Sequence, residues 1–138
     1  MQNKTKKLIS LIVTVALLLC FSTNTFSLGI SAVTPRWVSI SSMELNIVFD
    51  GNYAVATGLA SKQSTATSIE GTVTLYKLVD DEWVYMDEWY NYRTRGTLAV
   101  SGEFSCESGV TYKAEFVVTV YTGTFAETET TEISKRCP

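Results

Sequence analysis

The chain has 138 residues and contains no histidine. The lack of histidine excludes His-based catalytic triads, Cys-His pairs and most catalytic zinc sites. The chain carries 11 basic and 14 acidic residues, a formal net charge of −3. It has no basic stripe, which argues against binding to nucleic acid and against attraction to anionic membranes.

The start of the chain has the pattern of a secretory signal peptide. Three lysines are followed by residues 8–21, which carry no charge, and then by Ser, Thr and Asn. An apolar run of ~14 residues is too short for a comfortable membrane span. We expect a signal peptide over residues 1–32, cleaved near residues 29–32, and a secreted domain over residues 33–138 that is not inserted in a membrane.

Two further points concern the signal segment and its removal. Cys20 is preceded by Leu19, whereas a lipoprotein site needs a small residue there, so we do not expect lipid attachment at Cys20. Cleavage removes three lysines and no acid, which leaves eight basic and fourteen acidic residues. Such an acidic surface suits a solvated protein outside the cell. We also expect the protein to be a monomer.

Cleavage also leaves only two cysteines, Cys106 and Cys137. In an oxidising compartment the only intramolecular disulfide available joins this pair. It would close a loop of 31 residues, and the chain-entropy estimate for that loop is roughly 3 to 4 kcal/mol. Two free thiols or an intermolecular link are the alternatives.

The rest of the chain alternates apolar and polar residues and is rich in Val, Ile, Thr and aromatic side chains. Breaks at Gly, Asp and Asn recur about every ten residues, which is typical of antiparallel strands. In chain order, the predicted strands cover residues 37–49, 53–61, 68–78, 83–92, 97–105, 110–121 and 125–134.

Three of these strands have special features. The first is expected to be interrupted near Ser41 and Ser42, and Gly102 suggests a bulge in the fifth. The last is polar over much of its surface, which suits an edge strand protected against pairing with other molecules, because it contains Glu127, Glu129 and Glu132. Seven short strands predict an all-β fold, a single seven-stranded antiparallel immunoglobulin-like β-sandwich.

One stretch of the sixth strand resembles a known motif. The sequence Gly109-Val-Thr-Tyr112 resembles the start of strand F in fibronectin type III and related immunoglobulin-like domains. The resemblance implies that Tyr112 forms a tyrosine corner, with its hydroxyl bonded to nearby backbone. The alternative is an ordinary core tyrosine.

The wider order of motifs, over roughly residues 37–134, resembles a group of small secreted β-sandwich proteins of Gram-positive bacteria. In that group, a strand of the type Trp-x-x-Val-x-x-Trp precedes a Gly-x-x-Tyr-Arg-Val strand. This chain departs from the pattern at Lys113, where arginine is common, and in its cysteine pair. The group has no established activity, so the resemblance implies the fold and the secretion only.

The densest stretch is residues 80–92, with two tryptophans, three tyrosines and five carboxylates. Strict alternation would put Trp83, Tyr85 and Trp89 on one face of the fourth strand. If that face points outward, it forms an aromatic ladder, and if it points inward, the ladder disappears. A bulge could instead send Trp83 and Trp89 to different faces, and alternation alone does not decide between these registers.

The carboxylates of this stretch do not form a convincing catalytic pair. Asp87 and Glu88 are adjacent on a strand and should point to opposite faces, while the acids at 80–82 lie in a solvated turn. Glycoside cleavage needs one carboxyl group in a desolvated pocket, and the turn lacks a calcium-loop pattern. We therefore expect no catalytic residue, no metal site and no cofactor.

Binding is the class of function that remains. We expect a secreted, non-enzymatic protein that recognises a glycan, a cell-envelope component or a protein. The candidate ligand surface comprises Trp83, Tyr85, Trp89, Tyr90 and Tyr92. The alternative is a secreted antagonistic, bacteriocin-like effector, although the amphipathic helix and positive charge usual for membrane-disrupting peptides are missing.

Overall fold

The computed structural model describes residues 37–138, and the regular structure of these residues is entirely β-strand. The seven strands are β1 (Ile40–Asp50), β2 (Tyr53–Lys62), β3 (Ser68–Val79), β4 (Glu82–Arg93), β5 (Leu98–Ser105), β6 (Thr111–Thr122) and β7 (Phe125–Arg136). The predicted signal peptide, its cleavage near residues 29–32 and the site at Cys20 lie outside the described residues. Within the described residues, no helix could cross a membrane.

The strands form two antiparallel sheets, one in the order β1-β2-β5 and the other in the order β4-β3-β6-β7. The prediction of seven antiparallel strands in an all-β fold is confirmed. In the described part of the chain β7 pairs only with β6, so it is an edge strand as its glutamates predicted.

Three of the connections are two-residue turns between paired neighbours. Gly51 and Gly123 take positive φ angles of 61° and 60° in two of them. In the third, Asp80 and Asp81 have φ angles of 50° and 65°. Positive φ at both central residues matches the right-handed twist of a hairpin, and Asp tolerates it better than most residues. The acidic turn predicted between the third and fourth strands is thus a tight hairpin turn.

The core lies between the sheets and is built by alternation. On β6 every second residue is buried, and on β5 the same pattern holds. The largest fully buried side chains are Tyr112, Phe116, Ile40, Ile47, Ile69, Leu75 and Leu98. Burying such a set supplies the main driving force for folding.

Side chains connect the sheets on the side where β1 faces β7. The backbone N–H groups of Val38 and Ser39 donate to the carboxylate of Glu127 at 2.9 Å and 2.5 Å. Lys135 Nζ donates to the carbonyl of Ile47 at 2.9 Å. These bonds satisfy backbone groups at an edge that no strand covers among the described residues.

Two predicted irregularities have different outcomes. The pairing of β1 with β2 shifts between Ile40 and Ser42, as the prediction near Ser41 and Ser42 required. The bulge predicted at Gly102 is wrong, because β5 pairs with β2 in an unbroken register in which Gly102 faces Ala56. Gly102 serves another purpose, which the position of Trp89 explains.

Candidate ligand-binding surface

A bulge in β4 determines which aromatic side chains reach the surface. Leu75 of β3 pairs with Asp87, and the next residue, Tyr76, pairs with Tyr85. Met86 is therefore the extra residue. The alternation of side chains between the two faces of β4 is shifted by one residue after Met86 relative to the alternation before it. The strict alternation considered for this strand does not hold.

Trp89 lies after the bulge and on the face of its sheet that is turned toward the core. It pairs with the buried Val73, is half-buried and packs against the core. A Cβ atom at Gly102 would be only 1.8 Å from Trp89 Cε2, so the indole occupies the space that a side chain at position 102 would fill. Gly102 is required here for close approach rather than for a bulge.

The other four predicted surface residues lie on the opposite side of the same sheet. We call the side of the four-stranded sheet that is turned away from the three-stranded sheet the outer face. On β4 it carries four exposed aromatic side chains: Trp83, Tyr85, Tyr90 and Tyr92. Trp89 lies on the other side of the sheet from these four.

One group on the outer face, the Trp83 cluster, consists of Trp83, Tyr85, Tyr76 and Lys113. The rings of Tyr76 and Tyr85 meet edge to face with their centroids 6.4 Å apart. Lys113 Nζ lies 4.8 Å from the centroid of the Tyr76 ring and 5.1 Å from that of the Trp83 ring. Cation–π attraction therefore holds the ammonium group between two aromatic faces.

A second group, the Tyr90 cluster, consists of Tyr90, Tyr92, Tyr121 and Glu70. The hydroxyls of Tyr90 and Tyr121 donate to the two carboxylate oxygens of Glu70, at 2.8 Å and 2.6 Å. Tyr92 is the direct neighbour of Glu70 on β4. The hydrogen bond to Glu70, followed by desolvation, raises the pKa of both Tyr90 and Tyr121. One carboxylate thus orients two tyrosine rings.

Between the two clusters runs the acidic row, which comprises Glu88, Glu115 and Glu132. Glu88 and Glu115 both pair with Thr74, and Glu115 pairs with Glu132. Thr74 Oγ1 donates to Glu88 Oε2 at 3.4 Å. Burial raises the pKa of the Tyr76 hydroxyl, and the nearby charges of Glu115 and Glu88 raise it further.

The clusters are separated by enough distance to contact different parts of one elongated ligand. Tyr85 pairs with Tyr76, and Tyr90 pairs with Thr72 on the same strand. Four residues of an antiparallel strand span about 14 Å. Tyr121, Glu70 and Lys113 had no place in the predicted surface, although their positions in alternating strands already put them on the face opposite the core.

A groove of about 490 Å³ runs beside Trp89, where the edges of β4 and β5 face each other. Asn91 Nδ2 donates across it to the carbonyl of Ala99 at 2.7 Å. The walls of the groove include Tyr90 and Ser101. It adjoins the Tyr90 cluster and lies at the side of the outer face.

The two cysteines lie together, directly after the ends of β5 and β7. Cys137 Sγ donates to Cys106 Sγ at 3.1 Å, which is longer than the ~2.05 Å of a disulfide bond, so the structure contains a reduced pair. Burial, and then the contact with Cys137, raises the pKa of the Cys106 thiol to about 11. A group of that pKa stays protonated at neutral pH and reacts slowly.

Tyr112 is buried beside this pair. Its hydroxyl accepts a hydrogen bond from the backbone N–H of Glu107 at 2.9 Å. Its ring packs against Phe104 and Phe49, with centroid distances of 5.1 Å and 6.2 Å. Tyr112 therefore combines a core ring with a hydroxyl bonded to nearby backbone.

The acids of the outer face are spread along strands rather than gathered at one point. Over residues 37–138, no group of three or more Cys, Asp or Glu residues is arranged to hold a metal ion. What the outer face offers a ligand is aromatic surface and carboxylate hydrogen-bond acceptors.

No protein family model and no curated protein sequence matches the chain. Among solved structures, it is similar to the β-glucuronidase of Parabacteroides merdae, with 17% identity and a TM-score of 0.44 over 72% of this chain and 14% of that one. It is also similar to catalytically inactive OgpA from Akkermansia muciniphila in complex with an O-glycopeptide substrate, with 12% identity and a TM-score of 0.37 over 75% of this chain and 34% of that one. The chain therefore spans only a small part of either protein, and these similarities say nothing about its activity or ligand.

Proposed function

We propose that this protein is a secreted, non-enzymatic β-sandwich that recognises a ligand outside the cell through its outer face. The observation that carries the proposal is the pair of aromatic clusters on that face. Tyr85 and Tyr90 are 58% and 60% exposed although they lie in the middle of a strand. Exposed aromatic groups of this kind are typical of binding surfaces, because the rings offer large contact areas that lose little conformational entropy on binding.

The proposed sandwich is of the immunoglobulin-like type. In constant-type domains the first, second, fourth and fifth strands share one sheet, and the third, sixth and seventh form the other. Here β4 pairs with β3, so that one strand has changed sheets while the other six keep their places. The contact between Tyr112 and Glu107 supports the same assignment.

The proposed disulfide between Cys106 and Cys137 belongs to the secreted form. The two thiols are already in contact, and Cys106 follows β5 of one sheet while Cys137 follows β7 of the other. Oxidation would therefore join the sheets without a large movement of the chain. The intact mass of protein recovered from culture medium should rise by two hydrogens on reduction, and two alkylatable thiols in that protein would contradict the bridge. The same spectrum reports the proposed cleavage near residues 29–32.

The recognition function is tested with Tyr85→Ala and Tyr90→Ala, singly and together. Each truncation of a binding aromatic is expected to cost about 1 kcal/mol of affinity, so the double variant should bind cell walls or immobilised glycans more than about ten-fold more weakly. The matched control is Tyr53→Ala, because Tyr53 is 67% exposed but belongs to the three-stranded sheet.

Both alanine variants and the control should unfold at nearly the same denaturant concentration as the parent protein, since exposed side chains contribute little to stability. Unchanged retention of the double variant would remove the outer face as the binding surface. Unfolding of the double variant would show instead that these rings are structural.

A further inference from the structure

The outer face has an excess of negative charge that its own residues do not neutralise. Among residues 37–138 only two ion pairs form, and the one on this face joins Lys113 to Glu132 at 3.9 Å. Glu88 has a hydroxyl partner, Thr74, and neither Glu88 nor Glu115 pairs with a basic side chain there. The carboxylates left over can interact with cations from outside.

The arrangement of the acidic row is itself unfavourable for stability. Glu115 and Glu132 are direct cross-strand neighbours on the same face. Like charges in such positions destabilise a sheet, since they lie only about 5 Å apart. Natural proteins tolerate one or two such violations of local rules at functional sites.

The spacing of the row fits several organic cations better than one metal ion. Glu88 and Glu115 are separated by β3, which places them about two strand spacings, or ~10 Å, apart. A bound Ca²⁺ ion lies within about 2.6 Å of each of its oxygen ligands, so carboxylates this far apart cannot share one ion. Ammonium groups repeated along a chain could meet the carboxylates one by one.

Lys113 shows how this face holds an ammonium group. Its Nζ lies between the rings of Tyr76 and Trp83 and points toward the carboxylate of Glu132. Aromatic faces and a carboxylate therefore form the surroundings of a cation here already. An amine of a ligand would find the same chemistry between Glu88 and the exposed ring of Tyr85.

The shape of the face distinguishes between two kinds of cationic chain. A peptide is commonly bound along a sheet edge, where unpaired backbone groups continue the hydrogen-bond pattern. The backbone of β3 and β6 is paired on both sides, so the centre of this face has no such groups to offer. Flat aromatic surfaces about 14 Å apart, with hydrogen-bond acceptors between them, suit a polysaccharide chain whose rings stack and whose amines meet the acids.

We propose that the outer face binds an amino-sugar polysaccharide with free amines. The rings of the Trp83 and Tyr90 clusters contact its sugar rings, and the acidic row pairs with its ammonium groups. This inference rests on the proposed recognition function and names the ligand class of the same surface.

The test uses the full mature protein and two probes of equal length, a glucosamine hexamer with free amines and its fully N-acetylated form. Calorimetric titration in mildly acidic buffer keeps the amines charged. The free-amine hexamer should bind more tightly, and added salt should weaken only its binding, because ionic attraction is screened. Glu88→Gln combined with Glu115→Gln should weaken it about five-fold, if each ion pair contributes about 0.5 kcal/mol. The N-acetylated hexamer should be unaffected by this change.

The matched control is Glu103→Gln, an exposed acid on β5 of the other sheet, which should leave binding unchanged. Equal affinity for the two hexamers, or no effect of the two glutamine substitutions, would overturn the inference. So would an oligolysine of the same charge that binds as tightly as the free-amine hexamer, since the partner would then be a basic peptide. If neither hexamer binds but Tyr85→Ala and Tyr90→Ala still lower wall retention, the amine inference fails and the recognition function stands. If wall retention is also unchanged, both fail.

Discussion

Trp89 and Gly102 come from different sheets and are in direct contact, so close that a Cβ atom at position 102 would lie 1.8 Å from the indole. The contact links β4 to β5 on the side of the structure where neither edge has a further strand among the described residues. The indole covers the core there, while Asn91 bridges the edges beside it. One residue without a side chain thus allows the largest side chain to cover one end of the core.

Gly102→Ala should destabilise the protein by about 1 to 3 kcal/mol, because the new methyl group overlaps the indole and forces it aside. Denaturant unfolding followed by tryptophan fluorescence measures the change. The same substitution in a Trp89→Ala background should cost much less, since the clashing atoms are gone. A Gly102→Ala protein as stable as the parent would show that the indole can move without penalty.

Tyr112→Phe should destabilise the protein by about 1 kcal/mol without changing its fold. The substitution keeps the ring against Phe104 but leaves the N–H of Glu107 without its acceptor. Equilibrium unfolding in urea reports the loss. Tyr53→Phe is the control, because Tyr53 is exposed, and equal stability of the two variants would argue against a structural role for the Tyr112 hydroxyl.

Glu70→Gln should lower the pKa of Tyr90 and of Tyr121. In the parent protein the hydrogen bonds to the Glu70 carboxylate favour the protonated phenols and raise both values. Removing the negative charge removes that preference, so part of the phenolate absorbance should develop at lower pH. The ultraviolet titration of Glu103→Gln should match that of the parent. An unchanged titration of Glu70→Gln would mean that the carboxylate does not hold the two hydroxyls in solution.

Glu127→Gln should reduce the acid sensitivity of folding. Burial alone would raise the pKa of Glu127, but the hydrogen bonds from Val38 and Ser39 outweigh burial, and its pKa lies below the ordinary value of 4.5. A carboxyl group with a lowered folded pKa contributes stability above its unfolded pKa, and this contribution is lost as the pH falls through the folded value. Unfolding free energies of parent and variant, measured from neutral to acidic pH, should therefore converge once the pH is below the folded pKa of Glu127. Parallel curves would contradict the role of this carboxylate.

The positions of the seven strands along the chain could be predicted because they depend on local patterns. The alternation of Tyr112, Ala114 and Phe116 predicts which side of β6 is buried, and that side is buried in the structure. The turn at Asp80 and Asp81 also follows from local chemistry, since short acidic residues tolerate positive φ.

The position of Trp89 could not be predicted in this way. It depends on a bulge at Met86 and on empty space at Gly102, which is on another strand of the other sheet. A bulge has no composition signal of its own in this stretch, and its benefit appears only when both sheets are assembled. For the same reason, a glycine that looks like a strand irregularity in β5 is a packing requirement of β4.

The bulge at Met86 also divides β4 into two parts that tolerate substitution to different degrees. Residues 82–85 are paired with β3 and contribute to the outer face, but they fill none of the buried core, so their side chains can be exchanged. Residues after Met86 must keep their register with β3, because this register places the Trp89 indole against Gly102. A library that varies only the first part should change ligand preference while the unfolding midpoint stays constant, and a single deletion at Met86 should rotate one part relative to the other.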